Sequence, residues 1–485
     1  MLDIVIINVP GTISRTAPAA PAILKASIEK NGFTCKTIDF NIEFYHSKHA
    51  NLKNIENYFL TELNTEVIQE AKNIVSKYVD RIIKLKPKFV GISVFTYQNK
   101  VATKLFCQEL KKHTNIKIIL GGQGLADGGI LGHQGFAKQL LNENLIDFYI
   151  KSEGENSIVE LLKGNFEYPG INSDTFQQID NLDSLPIPDY SDYNLDMYVD
   201  SLPITGSRGC VRSCSFCDIH DHWSYKLRKG EAVANEIIEL YKKYNIKNFM
   251  FTDSLVNGSL KEFKIFCKLL ADFNRQNDVK LTYSGQYIVR SPSQLDDEYW
   301  KNLAMSGAQS LAIGVETGSD RVRQHMNKKF TNRDLDYTME MLDRYNITCT
   351  FLMIFGYPTE TEEDYQATLD MFKKYKKYAN KIITNINFGS TLGILPGTPL
   401  FNGAQEFNIQ LDRHENNWVA LDNESLTLEE RLRRRNHAKE YVLSLGYQIP
   451  DSGHDNVLDI LKEHIPAFEK RNKIKKMIRI KEAIS

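Results

Sequence analysis

Cys210, Cys214 and Cys217 fall within eight residues, in the run Ser207-Arg208-Gly209-Cys210-Val211-Arg212-Ser213-Cys214-Ser215-Phe216-Cys217, and are spaced C-x3-C-x2-C. Three thiolates at this spacing can hold three irons of a cubic [4Fe–4S] cluster and leave the fourth iron without a protein ligand. An iron left open in this way is where a small chelating cofactor binds and reacts. Two plainer chemistries use the same residues. Zinc would need a fourth ligand, which His220 or His222 could supply as Cys3His, and thiols without a metal can pack as inert apolar groups. The choice among the three turns on whether the rest of the chain supplies cofactor loops in a matching order.

The trio follows a short apolar strand at which a strand–helix alternation begins. Strands are expected at 202–206, 248–253, 280–288, 310–316, 348–355 and 384–390, with helices between them, for example at 231–244 and 333–345. Six such units fall short of the eight of a closed barrel, so the expected fold is an α/β partial (β/α)6 TIM-type barrel with its chemistry on the loops after the strands. The cysteines lie after the first strand. Phe251-Thr252-Asp253-Ser254 ends the second, Gln286 stands in the third, and Arg290 follows it. Ile313-Gly314-Val315-Glu316-Thr317-Gly318-Ser319 ends the fourth, Phe355-Gly356-Tyr357-Pro358-Thr359-Glu360-Thr361 the fifth, and Pro396-Gly397-Thr398-Pro399 follows the sixth. A carboxylate such as Glu316 can accept hydrogen bonds from an ammonium or a ribose, and a glycine such as Gly356 lets backbone approach a flat ring. The plainer reading is that the glycines make turns and Glu360 opens a helix.

Ahead of this lies a second alternation, with strands expected at 2–8, 34–40, 89–95, 116–120 and 148–151 and helices at 22–30, 54–85 and 99–112. The pattern is that of a Rossmann-like doubly wound parallel sheet, which binds ligands beyond the carboxyl ends of its strands. The loops to watch are therefore 9–20, 93–98, 121–129 and 152–155, with Ser93, Gly121, Gly122, Gln123, Glu153 and Gly154 as candidate cofactor residues. The segment carrying Leu185-Pro186-Ile187-Pro188-Asp189-Tyr190 is polar and without helical or strand period, and its prolines stiffen an extended connection. The domains are accordingly 1–165, a linker at 166–198, the barrel at 199–402, and a mostly helical C-terminal domain at 403–485. The last has helices at 426–443 and 456–462 and a basic tail at 470–481, with Ile474, Met477 and Ile478 at helical spacing, that reads as a docking helix. The basic run Arg431, Arg433, Arg434 and Arg435 reads as a solvated helix face.

Composition fits this picture. Of 485 residues, 42% are hydrophobic and 25% charged, the values of an ordinary soluble protein, and the net charge of −1 offers no electrostatic case for nucleic acid or an anionic membrane. No apolar run reaches the ~20 residues of a transmembrane helix. The start Met1-Leu2-Asp3-Ile4-Val5 reads as a strand, not a signal peptide. Besides the trio, Cys35, Cys107, Cys267 and Cys349 stand singly and pack as small hydrophobes, as suits a reducing cytoplasm.

The cysteine spacing with Phe216 before the third cysteine, the Gly314-Val315-Glu316-Thr317-Gly318 strand end and the Gly356-Tyr357-Pro358-Thr359-Glu360-Thr361 loop, in this order, resemble the radical S-adenosylmethionine (radical SAM) enzymes. The N-terminal half is similar to the cobalamin-binding-like domain that precedes the radical domain in one large subfamily. The matching stretches are 21–39, Val90-Gly91-Ile92-Ser93, Gly121-Gly122 and Gly154-Glu155. One departure is that no Asp-x-His-x-x-Gly occurs there, and His46, His49, His113 and His133 do not fit that pattern. The resemblance implies that S-adenosylmethionine binds the open iron through its amino and carboxylate groups. Glu316 and Thr317 would lie near its polar groups, the 354–357 backbone beside its adenine, and Phe216, Asp253, Ser254, Gln286, Arg290, Gly356 and Tyr357 among its contacts. Reductive cleavage to methionine and a 5′-deoxyadenosyl radical would be followed by methylation of an unactivated position with a methyl group from cobalamin. The alternative is a cyclase, oxidase or epimerase that needs no cobalamin and whose N-terminal domain is structural. With only Cys35 and Cys107, the N-terminal half cannot supply the second cluster of a methylthiotransferase. Also implied are a small-molecule or peptide substrate and an electron donor such as flavodoxin or ferredoxin.

Overall fold

The computed structural model describes residues 2–11, 16–47, 49–62, 65–113, 115–126, 135–151, 153–389, 391–412 and 414–449. The expected helices at 456–462 and 470–481, and His133, lie outside the described residues.

The N-terminal part runs β1 (Ile4–Asn8), α1 (Ala19–Lys30), β2 (Cys35–Asp39), α2 (Phe40–Tyr45), α3 (Leu52–Thr61), α4 (Ile68–Lys84), β3 (Phe89–Ser93), α5 (Lys100–His113), β4 (Lys117–Gly121), α6 (Phe136–Asn142), β5 (Phe148–Ile150) and α7 (Gly154–Leu162). Its five strands form one parallel sheet in the order β2-β1-β3-β4-β5. Strands buried on both faces read as continuous apolar runs, as Ile4 to Ile7 does. Val5, Ile7, Val90, Ile92, Ile118 and Leu120 face α3 to α6, while Ile4, Ile6, Ile119 and Ile150 face α1 and α7. The single helix expected over 54–85 is two helices. The inward stripe of α3 is Ile55 and Phe59, and continuing its phase would bury Glu62, Glu66 and Gln69. The chain instead turns at Glu62, with φ 59°, and restarts with Ala71, Val75, Val79 and Ile82 facing inward.

The second part runs β6 (Leu202–Ile204), β7 (Ser207–Arg208), α8 (Ile219–His222), β8 (Lys226–Leu227), α9 (Gly230–Tyr244), β9 (Asn248–Phe251), α10 (Leu260–Asn277), β10 (Thr282–Ser284), β11 (Gln286–Tyr287), α11 (Asp297–Met305), β12 (Leu311–Glu316), α12 (Asp320–His325), α13 (Asn332–Arg344), β13 (Cys349–Met353), α14 (Glu362–Tyr375) and β14 (Ile383–Asn387). Two parallel sheets, β10-β9-β6 and β11-β12-β13-β14, follow one another. The expected third strand, 280–288, is broken at Gly285. A β-carbon there would lie 2.5 Å from Val256 Cγ1 and 3.0 Å from Phe251 Cβ, so the close approach of the loop after β9 interrupts the ladder. Leu202, Ile204, Phe249, Phe251, Leu311, Ile313 and Phe351 share one core with Trp300 and the helices, which leaves Pro203, Thr205, Met250 and Thr252 on the opposite face.

The described part of the C-terminal region holds α15 (Pro399–Asn402), an antiparallel pair β15 (Ile409–Gln410) and β16 (Val419–Ala420), and the long α16 (Leu428–Ser444), capped by Thr427. α16 packs on α14 and reaches the loops that follow β13 and β14.

Candidate active site

The cysteine loop, 209–225, is closed at its base by the antiparallel pair β7–β8. Gly209 has φ +75°, and a β-carbon there would lie 2.6 Å from the Ser224 carbonyl, so only glycine permits the closure. The end of α12, α15 and the turn after β13 hold the loop from outside. Ser215 N–H donates to the Met326 carbonyl (3.1 Å), Leu400 N–H to the Ser215 carbonyl (2.8 Å), and Asn327 Nδ2 to the Ser213 carbonyl (2.7 Å). The Ser215 and Tyr357 hydroxyls are 2.9 Å apart, and His325 Nδ1 is 3.0 Å from the same tyrosine oxygen. Cys210, Cys214 and Cys217 are partly exposed and form no disulfide. Burial pushes all three thiols up, Cys217 to about 11. A bound metal outweighs such a shift, because coordination deprotonates a thiol outright. His220, one of the two candidate zinc ligands, turns its Nε2 to the Arg212 carbonyl. Among the described residues no three Cys, His, Asp or Glu side chains converge as a single metal ion requires.

The remaining barrel candidates divide into two groups. Glu316, buried at φ 65°, accepts from Lys328 Nζ at 2.7 Å beside Cys214. Gly314 makes room for this pair, since a β-carbon there would lie 2.5 Å from Glu316 Oε1. Gln286 is exposed, Ser254 partly so, and Phe216 packs against Tyr357 and its apolar neighbours. The second group points into the protein. Asp253 accepts from Gly206 N–H (2.8 Å) and the Ser207 hydroxyl (2.6 Å), fixing the entry to the cysteine loop, and burial pushes its carboxyl up to about 7. Arg290 donates to the carbonyls of Asn257 (2.6 Å) and Gly258 (2.7 Å). Thr317 faces Thr368 of α14 at 3.2 Å.

All six N-terminal candidates, Ser93, Gly121, Gly122, Gln123, Glu153 and Gly154, line one cavity of about 260 Å³. Its floor is the sheet face at Gly91 and Gly121, where the strands carry no side chain between Ile6, Ile119 and Ile150. Gly122 has φ +113° and packs so tightly on Val94 that a β-carbon would lie 2.4 Å from its carbonyl oxygen. A second cavity of about 370 Å³ shares Ala20, Ile23, Ser93, Glu155 and Arg208 with the first and reaches Pro203, Thr205, Met250 and Thr252 on β6 and β9 and just beyond them. Arg208, two residues before Cys210, stands between the two cavities. Its guanidinium is 2.8 Å from Glu153 Oε1 and also pairs with Glu155. Burial opposes the Arg208 charge, and the two carboxylates outweigh it and raise its pKa. Among the described residues no histidine lines either cavity. His46 meets the Met197 carbonyl at 2.9 Å, and His113 meets Glu109 on α5.

The basic run of α16 is the clearest correction to the sequence reading. Arg431, Arg434 and Arg435 are buried, and only Arg433 takes the solvated face, paired to Glu430. Arg431 lies 3.7 Å over the Trp418 ring and donates to the Trp418 (3.1 Å), Leu426 (3.3 Å) and Asn416 carbonyls. Arg434 pairs with Glu360 at 2.9 Å, and Arg435 Nε donates to the Gly389 carbonyl at 2.7 Å. The signal was in the spacing: residues 431, 434 and 435 continue into Ala438 and Val442, one inward stripe. Glu360 does not open α14 either; Thr361 caps it, and burial pushes the Glu360 carboxyl up to about 7 against the pull of Arg434.

Residues 204–372 match the family model of the Radical SAM superfamily. The chain is 23% identical over 379 residues to an uncharacterized methyltransferase of Pyrococcus horikoshii, covering 73% of this chain and 77% of that protein. Its fold is similar to that of the radical S-adenosylmethionine methyltransferase TsrM from Kitasatospora setae, solved with cobalamin and a [4Fe–4S] cluster bound, at TM-score 0.60 and 18% identity over 84% of this chain and 76% of that one. It is also similar to the cobalamin-dependent S-adenosylmethionine radical enzyme OxsB with aqua-cobalamin bound, at TM-score 0.62 and 15% identity over 84% of this chain and 61% of that one.

Proposed function

We propose that this chain, a radical SAM enzyme over residues 204–372, cleaves S-adenosylmethionine at a [4Fe–4S] cluster on Cys210, Cys214 and Cys217 and methylates an unactivated position of a small-molecule or peptide substrate with cobalamin held on the N-terminal sheet. The observation that carries the second half is the pair of joined cavities, which runs from the glycine floor at Gly91 and Gly121 to the inner face of β6 and β9. Both sites fit their groups. Three thiols on one anchored loop are the donor set of a site-differentiated cluster, and a sheet face bare of side chains is a bed for a broad, flat ring system. The cluster supplies the electron for reductive cleavage, and cobalamin supplies the methyl group.

The chain's own residues position and shield. Ser215, held by Met326, Tyr357 and Leu400, fixes the loop between the second and third cysteines. Glu316 offers a buried carboxylate beside Cys214 to an ammonium or ribose hydroxyl, and Gly356, at φ +73° under the Arg431 stem, shapes the turn whose 354–357 backbone would meet a flat ring. Arg208 locks the cysteine loop to the strand end that lines the first cavity. An electron donor such as flavodoxin or ferredoxin would reduce the cluster.

Anaerobic reconstitution followed by absorbance and product mass tests the proposal. We expect bound iron and labile sulfide, retained cobalamin, 5′-deoxyadenosine and a product in which one hydrogen is replaced by a methyl group. Protein that takes up no cobalamin at saturation sinks the methylation half. The second reading is then radical cyclisation, oxidation or epimerisation with a structural N-terminal sheet. The lack of a lining histidine among the described residues favours it, and it requires cleavage with an unmethylated product.

A further inference from the structure

The C-terminal helix grips the loop that follows β13. Glu360 Oε1 accepts from Gly356 N–H at 3.2 Å and from Arg434 Nη1 at 2.9 Å, so one buried carboxylate oxygen joins the glycine to the helix. The same Nη1 lies 3.3 Å from the Glu360 carbonyl and 3.1 Å from that of Thr361. Asn423, in the turn before α16, donates to the carbonyls of Pro358 (3.4 Å) and Glu360 (3.0 Å). The aliphatic stem of Arg431 lies against Gly356 so closely that a β-carbon there would meet its Cγ at 2.3 Å. Every residue from Gly356 to Thr361 except Tyr357 and Thr359 is thus contacted from the C-terminal region, and Tyr357 is tied to the cysteine loop.

We propose that Arg434, acting through Glu360, is a positioning residue for S-adenosylmethionine: the α16 clamp sets the Gly356 backbone in the conformation that receives the cofactor's adenine, and the C-terminal region is thereby part of the cofactor site. This rests on the reading above that the 354–357 backbone meets the adenine. A buried guanidinium is suited to the task because its planar fork holds three carboxylates in fixed directions, Nη1 on Glu360, Nη2 on Glu362 (3.1 Å) and Nε on Glu430 (2.9 Å), which a lysine cannot do.

The test uses the full chain reconstituted with its cluster and reads the Kd for S-adenosylmethionine, together with the change in the reduced cluster's EPR spectrum on adding it. Arg434→Gln leaves Glu360 without its cation and is expected to weaken binding on the order of tenfold, as displaced positioning contacts do, at wild-type iron content. Arg434→Gln with Glu360→Gln restores a neutral hydrogen-bonded pair and is expected to recover most of that loss, a coupling that general destabilisation would not produce. Where Arg434→Gln does not fold, Asn423→Ala carries the test, with a smaller loss expected. Wild-type Kd in Arg434→Gln, or in Asn423→Ala where that variant stands in, overturns the clamp whatever the melting temperature shows. Wild-type protein with a full cluster and no S-adenosylmethionine binding would instead overturn the proposed function itself.

Discussion

The two candidate sites are built on opposite principles. The barrel site is made of side chains, three thiols on a loop whose backbone is held by Met326, Asn327 and Leu400 and whose Ser215 hydroxyl meets Tyr357. The N-terminal site is made by leaving side chains out, at Gly91 and Gly121, where the sheet would otherwise carry bulk against α1 and α7. A site of the first kind fails when a group is removed, and one of the second kind fails when a group is added. That asymmetry sorts the expected outcomes of substitution.

The largest effect is expected from Cys210→Ala, Cys214→Ala or Cys217→Ala, each of which should abolish S-adenosylmethionine cleavage, read as 5′-deoxyadenosine. Cleavage retained in any of them would refute the cluster assignment. Gly121→Leu is the converse experiment. At Gly121 the nearest heavy atom to an added β-carbon is the Ile150 carbonyl at 3.8 Å, so the strand accepts the change and the side chain enters the cavity. Cobalamin retention should fall by more than about tenfold, as filling a preformed pocket removes the contacts it offers, while cleavage continues. Equal loss of both would show that the sites are not separable in this way.

Arg208→Met tests the link between them. Glu153 and Glu155 would be left buried without their cation, and breaking a buried pair of this kind costs about 3–5 kcal/mol, read by denaturant unfolding. The last effect is a pH slope. Burial raises the folded Asp253 carboxyl to about 7 from its ordinary 3.8, so between these values the folded chain holds a proton that the unfolded chain has lost. Stability should fall as pH rises from about 4 to about 7 and then level, and Asp253→Asn should lessen that slope, Glu360, also pushed up to about 7, supplying a further part.

In the barrel the positions of the candidate loops were legible because their patterns are local, whereas the inward turn of Asp253, Arg290 and Thr317 was not. The cysteine spacing, Gly314 to Gly318 and Gly356 to Thr361 each place their functional groups within a few residues, so their order along the chain survives folding. The N-terminal cavity was legible only as separate loops. That Ser93 and Gly121 stand side by side follows from the register of β3 on β4, which no single strand reveals. Charge runs were read least well. Taken as composition, Arg431 to Arg435 suggested a solvated face; taken at helical period, the same residues fall on the stripe of Ala438 and Val442. Gly285 shows the same limit in the sheet, since the break there comes from Val256 and Phe251, far away in the chain.

Arg208 carries a practical consequence for anyone who would cut or graft this chain. The N-terminal sheet and the cysteine-bearing part meet in apolar contact, Ala17 and Ala22 sharing the core of Leu202 and Ile204, and in a charged one, the Arg208 guanidinium between Glu153 and Glu155. A transplanted barrel that left both carboxylates behind would place a bare cation two residues from its first cysteine, and a transplanted sheet without the arginine would bring two uncompensated anions. The unit of exchange is therefore the sheet and the cysteine loop together.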